Sequence, residues 1–479
     1  MATTGIMSPS GSTSFSEKLD PKAWRIIAVV ILAPFMTQLD STVVNVSLSS
    51  IQRDLHSSIS SAQWIISGYL LALVLMLPLN GWFLDRVGAK RLYIFCFSAF
   101  TLASLLCGLS RTMPGLIGAR VMQGVAGGLL APLTQLMMAR VAGKQMARVI
   151  GYSAVPILLA PLLGPLLAGA ILKYAAWPWL FYINLPVGVL AVVLAIYLVP
   201  HDEAMIRKRP FDFAGFVTLS PGLTCLLYGF ERASHHKGLS FLILGVILIG
   251  TFLLLARSKK EKALINIQLF RIRTFSVAAT TQFLSSGIVY AGQFLVPLYL
   301  ISGAGLSPAR AGWVLSTMGI GMLCIYPLMG YLTDKFGCRT VAASGVLINF
   351  LGTLPFVWMA CTRLSILLSI LGLLLRGMGQ GATGIPSLAA AYASVPKESL
   401  SLATTAINIV QRVGAPIMTT AIAIVVALSQ AGRSGAEPQA SFIPFIALIV
   451  CQLFVLGSAA RLPKRIHQEV VSSMTTTDR

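Results

Sequence analysis

Fourteen stretches of about 20 mostly apolar residues, set apart by short polar or Pro/Gly-rich breaks, leave this chain little choice of fold. They lie near 24–49, 61–84, 92–110, 114–138, 147–172, 178–199, 213–231, 240–256, 274–301, 308–333, 340–361, 364–392, 400–429 and 441–460. Each is long enough for a helix to cross the hydrocarbon core of a bilayer, about 30 Å thick. The seventh and eighth are the least distinct, because "ERASHHKG" makes a short connection between them. Only 11% of the residues are charged and 56% are hydrophobic, where a soluble domain carries about 25% charge. The apolar surface must therefore face lipid, and the expected class is an all-α integral membrane protein.

Charge gives the orientation. With both termini on one side, the segments on that side carry 25 Lys and Arg, and the opposite loops carry 8 (Arg53, Arg111, Lys173, Arg232, Lys237, Arg310, Arg363 and Arg433). The remaining three, Arg120, Arg376 and Arg412, fall within the apolar stretches. Cytoplasmic loops hold the excess of positive charge, so both termini are expected in the cytoplasm. The net charge of +21 comes in small clusters between apolar segments, without a basic helix interleaved with aromatics, so it argues for topology and against nucleic-acid binding.

The seven cysteines are scattered with no CxxC pair and read as small core residues. The polar start "MATTGIMSPSGSTSFSEKLDPK" has no apolar h-region, so no cleaved signal peptide is expected. Histidines 56, 201, 235, 236 and 467 all fall in expected loops or tails, which leaves no histidine-based catalytic or metal set within the bundle. "NVS" at Asn45 lies within the first segment and is not a glycosylation site; "GMGQGATG" follows no strand, and no GxxxxGK[ST] occurs. No cofactor, metal or ATP-driven step is expected. A membrane enzyme would show a catalytic cluster and a sensor a sizeable soluble domain; the sequence offers neither.

The chain repeats itself. "GWFLDRVGAKR" follows the second segment, with Gly81, Asp85, Arg86, Gly88, Lys90 and Arg91; "GYLTDKFGCRT" follows the tenth, with Gly330, Asp334, Lys335, Gly337 and Arg339, 249 residues later. "ARVMQGVAGG" from Ala119 is echoed by "LRGMGQGATG" from Leu375. Segments 1–6 thus resemble segments 9–14, with two extra ones between. Parallel six-helix halves are the architecture of the major facilitator superfamily.

Nearly the whole chain resembles the fourteen-helix drug:proton antiporters of that superfamily, the EmrB/QacA type. "LDSTVVN" resembles the family's first-helix signature, "GWFLDRVGAKR" the signature between helices two and three, "RVMQGVAGG" that of helix four, and "APLLGPLLAG" the fifth-helix signature of antiporters. "WPWLFYINLPVG" and "FDFAGF" match in type and position. Ser47, Leu48 and Ser49 stand where Ala-Leu-Pro is usual, and Ala160 and Ala168 where glycine is usual. The resemblance implies a major facilitator fold with two six-helix halves and two extra central helices. Residues 24–199 and 274–460 would be the halves, 200–273 the linker with the extra pair, and 1–23 and 461–479 cytoplasmic tails. It implies proton-driven export of drug-like or amphipathic compounds by alternating access, from a bacterial inner membrane. Small-molecule substrate, protons and lipid are the implied partners, with an efflux adaptor as a further one and a monomer otherwise. Proton-coupled transport of a small organic anion is the alternative.

Individual residues acquire roles within this reading. Asp40 and Arg120 have comparable depths by helical rise, so they can pair; burial favours the neutral acid and a guanidinium the carboxylate, which makes them candidates for proton coupling. Gly81, Asp85, Arg86, Gly88 and Arg91, with Asp334 and Arg339, are candidates for gating. Gly164, Pro165 and Gly169 belong to the antiporter motif, as a hinge or as close helix packing. Asn45, Gln123, Gln282, Tyr290, Gln293, Arg376 and Arg412 are substrate-cavity candidates. Three intramembrane arginines share one mid-membrane acid, Asp40. An anionic or zwitterionic substrate would redress that balance, and so would backbone carbonyls and cavity water.

Overall fold

The computed structural model describes residues 21–142, 145–200, 210–231, 236–259, 263–430 and 438–464. Residues 1–20 and 465–479 of the expected tails, residues 232–235 of the "ERASHHKG" connection (with Arg232), Arg433, and His201, His235 and His467 lie outside the described residues. The first half comprises α1 (Pro21–Asp54), α2 (Ile59–Met76), α3 (Asn80–Val87), α4 (Ala89–Leu109), α5 (Met113–Ala142), α6 (Met146–Tyr174), α7 (Trp179–Tyr182) and α8 (Asn184–Leu198). The central pair is α9 (Phe213–Glu231) and α10 (His236–Lys259). The second half holds α11 (Arg273–Leu298), α12 (Pro308–Ile325), α13 (Met329–Phe336), α14 (Cys338–Cys361), α15 (Ile366–Ala393), α16 (Leu400–Gln430) and α17 (Phe442–Ala459). Because α2–α3, α7–α8 and α12–α13 each continue one another, the described residues give 14 spans long and apolar enough to cross a membrane. The two least distinct segments are among them.

Besides the α7–α8 junction at Ile183 within the expected segment 178–199, two segments are broken where the sequence suggested single helices over 61–84 and 308–333. These two breaks are 3₁₀ turns, Leu77–Leu79 around Pro78 and Tyr326–Leu328 around Pro327. Proline lacks the N–H that would continue the ladder. Gly88 (φ 86°) and Gly337 (φ 84°) then turn the chain into α4 and α14, in a region that side chains other than glycine's rarely adopt. The repeat in the sequence is thus a repeat of backbone.

An even number of spans brings Pro21 and Lys464 to one side, called here the tail face; the opposite side is the far face. Each half has an aromatic core: Tyr93, Phe97 and Phe100 are fully buried in the first, Tyr299, Phe356 and Phe445 in the second, and ring centroids of the latter trio lie 5.5–6.3 Å apart. The α9–α10 hairpin packs on α2 and α16. Its tail-face end is fastened by Asp212, which accepts from Lys259 Nζ and from the backbone N–H of Gly215 (3.0 Å) and Leu264 (3.1 Å). Burial opposes the charge on Asp212, yet these donors outweigh it and hold the carboxyl below its ordinary range.

The halves meet near the tail face. There α3, α5 and α6 touch α12, α13, α15 and α16, whereas α1 and α11 do not pack closely on each other. The bundle is therefore closed at the tail face.

Candidate functional site

Asp40 lies in the middle of α1 and Arg120 about two turns into α5 from the far face. Both are fully buried, and Arg120 Nη1 donates to Asp40 Oδ2 at 2.6 Å. The pair expected from helical depth is present. It does not stand alone: Asp40 Oδ1 accepts from Gln123 Nε2 (3.0 Å) and Asn184 Nδ2 (2.8 Å). Arg120 also donates to Gln123 Oε1, and its Nε donates to the Ile65 carbonyl (3.2 Å). Its guanidinium lies over the Tyr69 ring, 4.3 Å from the centroid. Ser104 closes the network by accepting from Gln123 (2.8 Å) and Asn184 (3.4 Å). An ion pair in low dielectric holds only when its remaining donors and acceptors are also met, and here four helices supply them. Gln123, expected in the substrate cavity, is fully buried in this network instead.

The repeated loop motifs meet the opposite half. Ser401, at the start of α16, donates through Oγ to Asp85 Oδ1 at 3.0 Å. Gly81 lets α3 approach α16, since a Cβ there would sit 3.2 Å from Leu402. The mirror contact is Arg148 Nη2 to Asp334 Oδ2, 3.6 Å, between α6 and the end of α13. Between these two latches, Gln135 Oε1 on α5 accepts from Tyr392 Oη (2.7 Å) and Asn408 Nδ2 (2.8 Å) on the second half. The basic residues of the motif behave differently from the acids. Arg86 stacks over Trp82 of its own helix, 5.5 Å from the ring centroid. Arg339, expected to gate, donates to the Leu462 carbonyl (2.6 Å), just beyond α17. It ties down its own half, because the carbonyls of Leu462 and Pro463, beyond α17, accept from its Nε and from its backbone N–H (3.3 Å). Arg91 is exposed.

In α6 the small residues Ala160, Gly164 and Ala168 are buried and form one face. A Cβ at 164 would overlap Thr42 of α1, so this motif brings α6 hard against the helix that carries Asp40. Pro165 and Gly169 are exposed on another face, and Gly169 has open space around it.

The expected cavity residues separate into three groups. Asn45 on α1 and Tyr290 and Gln293 on α11 are exposed. Amides exposed on membrane spans belong where water can reach them, and α1 and α11 open the two halves. Gln282 is different: it is 4% exposed, donates to the Gly384 carbonyl (2.8 Å) and Ser387 Oγ (2.9 Å), and accepts from Gln411 Nε2 (2.9 Å). Its amide is consumed in joining α11, α15 and α16. The arginines also part company. Arg376 is buried in the second half, where Nη1 donates to Thr353 Oγ1 (3.0 Å). Arg412 is partly exposed and borders an apolar crevice between α9, α16 and α2, beside Leu226, Phe230 and Val413.

Sequence reasoning singled out neither Asn184, Ser104 and Tyr69 around the ion pair nor Gln135, Tyr392, Asn408 and Ser401 across the halves. Only Asn184 carried a signal, its place inside "WPWLFYINLPVG".

A family model described as Major Facilitator Superfamily matches residues 30–419. The chain is 33% identical over 425 residues to the multidrug resistance protein B homolog of Mycobacterium tuberculosis, spanning 87% of this chain and 78% of that one. It is 29% identical over 467 residues to the putative multidrug resistance protein MdtD of Escherichia coli O157:H7, spanning 95% and 98%. Among solved structures, the human organic anion transporter MFSD10 (TETRAN) superposes with a TM-score of 0.63 at 16% identity, over 91% of this chain and 100% of that one. The proton:xylose symporter XylE bound to 6-bromo-6-deoxy-D-glucose gives 0.60 at 15%, over 91% and 96%. At such identities the two structures speak for the fold alone.

Proposed function

Because the chain belongs to the Major Facilitator Superfamily, whose members are multi-pass membrane transporters and not enzymes, we propose that it exports drug-like or amphipathic compounds in exchange for protons by alternating access. The observation that carries this reading is the buried Asp40–Arg120 pair with its four-helix set of hydrogen bonds. An intramembrane acid is costly and is kept where it does something. Protonation of Asp40 removes the charge that holds Arg120 and so biases the halves toward the other conformation; bound substrate and bound proton exclude each other.

The excess of Lys and Arg on the tail face supports a cytoplasmic location for it. The structure is then the state closed to the cytoplasm, latched by Asp85–Ser401 and Arg148–Asp334. Residues 24–199 and 274–460 are the bodies that rock, and one chain contains both. The names of the relatives support export of toxic compounds, and the tight α6–α1 contact at Gly164 supports the antiport reading. Arg376, which has no carboxylate beside it among the described residues, favours as a second reading the coupled transport of an organic anion.

Inverted membrane vesicles with an imposed pH gradient test this directly, using cationic, neutral and anionic fluorescent compounds. Gradient-dependent accumulation of at least one, lost in Asp40→Asn, is expected. Equal accumulation by Asp40→Asn would move the coupling site elsewhere.

A further inference from the structure

The second half contains a counterpart of the Asp40 cluster from which the acid is missing. Arg120 and Arg376 correspond by the repeat, and Ser104 on α4 corresponds to Thr353 on α14 at the same 249-residue offset that relates Asp85 to Asp334. In the first half Ser104 accepts from two amides beside the arginine. In the second half Thr353 Oγ1 accepts from Arg376 Nη1 (3.0 Å) and Gln452 Nε2 (2.9 Å), and Gln452 also donates to Asn349 (2.9 Å). Arginine, hydroxyl and amides recur; the carboxylate does not.

Among the described residues, none of this half supplies it. Between 273 and 459 the acids are Asp334, Glu398 and Glu437. Asp334 is in α13 and Glu398 just precedes α16, both at the tail face, and Glu437 lies outside the described residues, in the connection from α16 to α17. Arg376 is 1% exposed, and its Nε has no hydrogen-bond partner; nor has Oε1 of Gln452, itself 1% exposed. A guanidinium keeps its charge at every working pH, and a buried charge left without a counter-ion is strongly disfavoured.

Yet the fold makes room for this one. A Cβ at Gly292 of α11 would overlap Arg376 Nη2, and one at Gly352 would crowd the base of the same side chain. Gly292 adjoins Gln293, which is exposed on α11. The glycine thus leaves Arg376 Nη2 against the backbone of α11, one residue from the exposed Gln293.

The geometry points to an anion site: the Arg376–Thr353–Gln452 cluster binds one monovalent anion, either a halide or the carboxylate of an amphipathic substrate. The free Nε offers a donor in the planar fork that suits a carboxylate. Where the anion is a substrate's, this site sets the charge class of the transport proposed above and rests on that reading. Anion binding itself does not, so it is read without transport.

Equilibrium binding of radiolabelled chloride and of benzoate to the purified full-length protein tests the site. Saturable binding near one ion per chain is expected. Arg376→Gln should weaken it at least tenfold, and Thr353→Val, which keeps the charge, by a smaller factor; gel filtration checks that both variants fold. Chloride binding that benzoate cannot displace identifies a resident halide, and mutual displacement a carboxylate site. Absence of saturable binding of either probe, or binding unchanged in both variants, would overturn the proposal and leave Arg376 solvated by water alone.

Discussion

Asp85 and Ser401 are 316 positions apart, and the hydroxyl of one donates to the carboxylate of the other at 3.0 Å across the two halves. The mirror pair, Arg148 and Asp334, is longer at 3.6 Å and its side chains are 27% and 41% exposed. A buried hydrogen bond to a charged acceptor is worth about 1.5–3 kcal/mol, an exposed ion pair about 0–1 kcal/mol. The α3–α16 latch should therefore dominate. Spin labels at the exposed positions 200, just past α8 of the first half, and 397, just before α16 of the second, both at the tail face, report the opening. Ser401→Ala should raise the population with the longer distance roughly tenfold, since about 1.4 kcal/mol is a factor of ten; Arg148→Ala should change it less. Equal effects would mean that the two latches share the load.

Two glycines of one motif should differ sharply. Gly164→Ala puts a Cβ into Thr42, while Gly169→Ala meets open space. The first should lower both the melting temperature and the transport rate, at an overpacking cost of about 1–3 kcal/mol. The second should be neutral or slightly stabilising, because alanine favours the helix by up to about 1 kcal/mol. Melting curves in detergent and vesicle transport, taken together, check this.

Asn184 gives Asp40 one of its hydrogen bonds, at 2.8 Å. Asn184→Ala removes a donor from a buried carboxylate and should reduce gradient-driven transport about tenfold, for a loss of about 1.5 kcal/mol or more. Ser104→Ala removes only a neutral hydroxyl that accepts from the amides, worth about 1 kcal/mol, and should retain most of the rate. A Ser104→Ala defect as large as that of Asn184→Ala would show that the orientation of the amides, rather than the donor to Asp40, matters.

Asp212 offers a pH-dependent contribution outside the spans. Its carboxyl is held below the ordinary range despite burial, by Lys259 and two backbone N–H groups. A depressed folded-state value contributes stability that is fully present above the unfolded value and is lost as pH falls through the folded one. The difference in melting temperature between the natural chain and Asp212→Asn should thus be constant from pH 8 to about 5 and shrink only below about pH 4. A gap that closed near neutrality would mean that this clasp is not the ionised one.

Much of the fold was legible because lipid imposes run lengths that any reader can count: the spans, the repeat and the arginines inside them follow from apolar stretches and spacing. The Asp40–Arg120 pair was legible for a related reason, since helical rise fixes depth. Depth does not fix rotation about the helix axis. That is why Gln123 and Gln282, placed in a cavity by residue type, turn out to be bonded within the bundle. The cross-half contacts of Gln135 and Ser401 were invisible because they depend on how two bundles meet, which no local pattern encodes. The breaks at Pro78 and Pro327 were readable in principle; the apolar run length masked them.

The coupling role of Asp40 is tested most directly by proton release. With the compound that vesicles accumulate best, substrate is added to the purified protein in weak buffer and the released protons are counted with a pH indicator. About one proton per bound substrate is expected, falling to none in Asp40→Asn while binding persists. Undiminished release in Asp40→Asn would contradict exchange at Asp40 and reduce the Asp40–Arg120 pair to a clamp between α1 and α5.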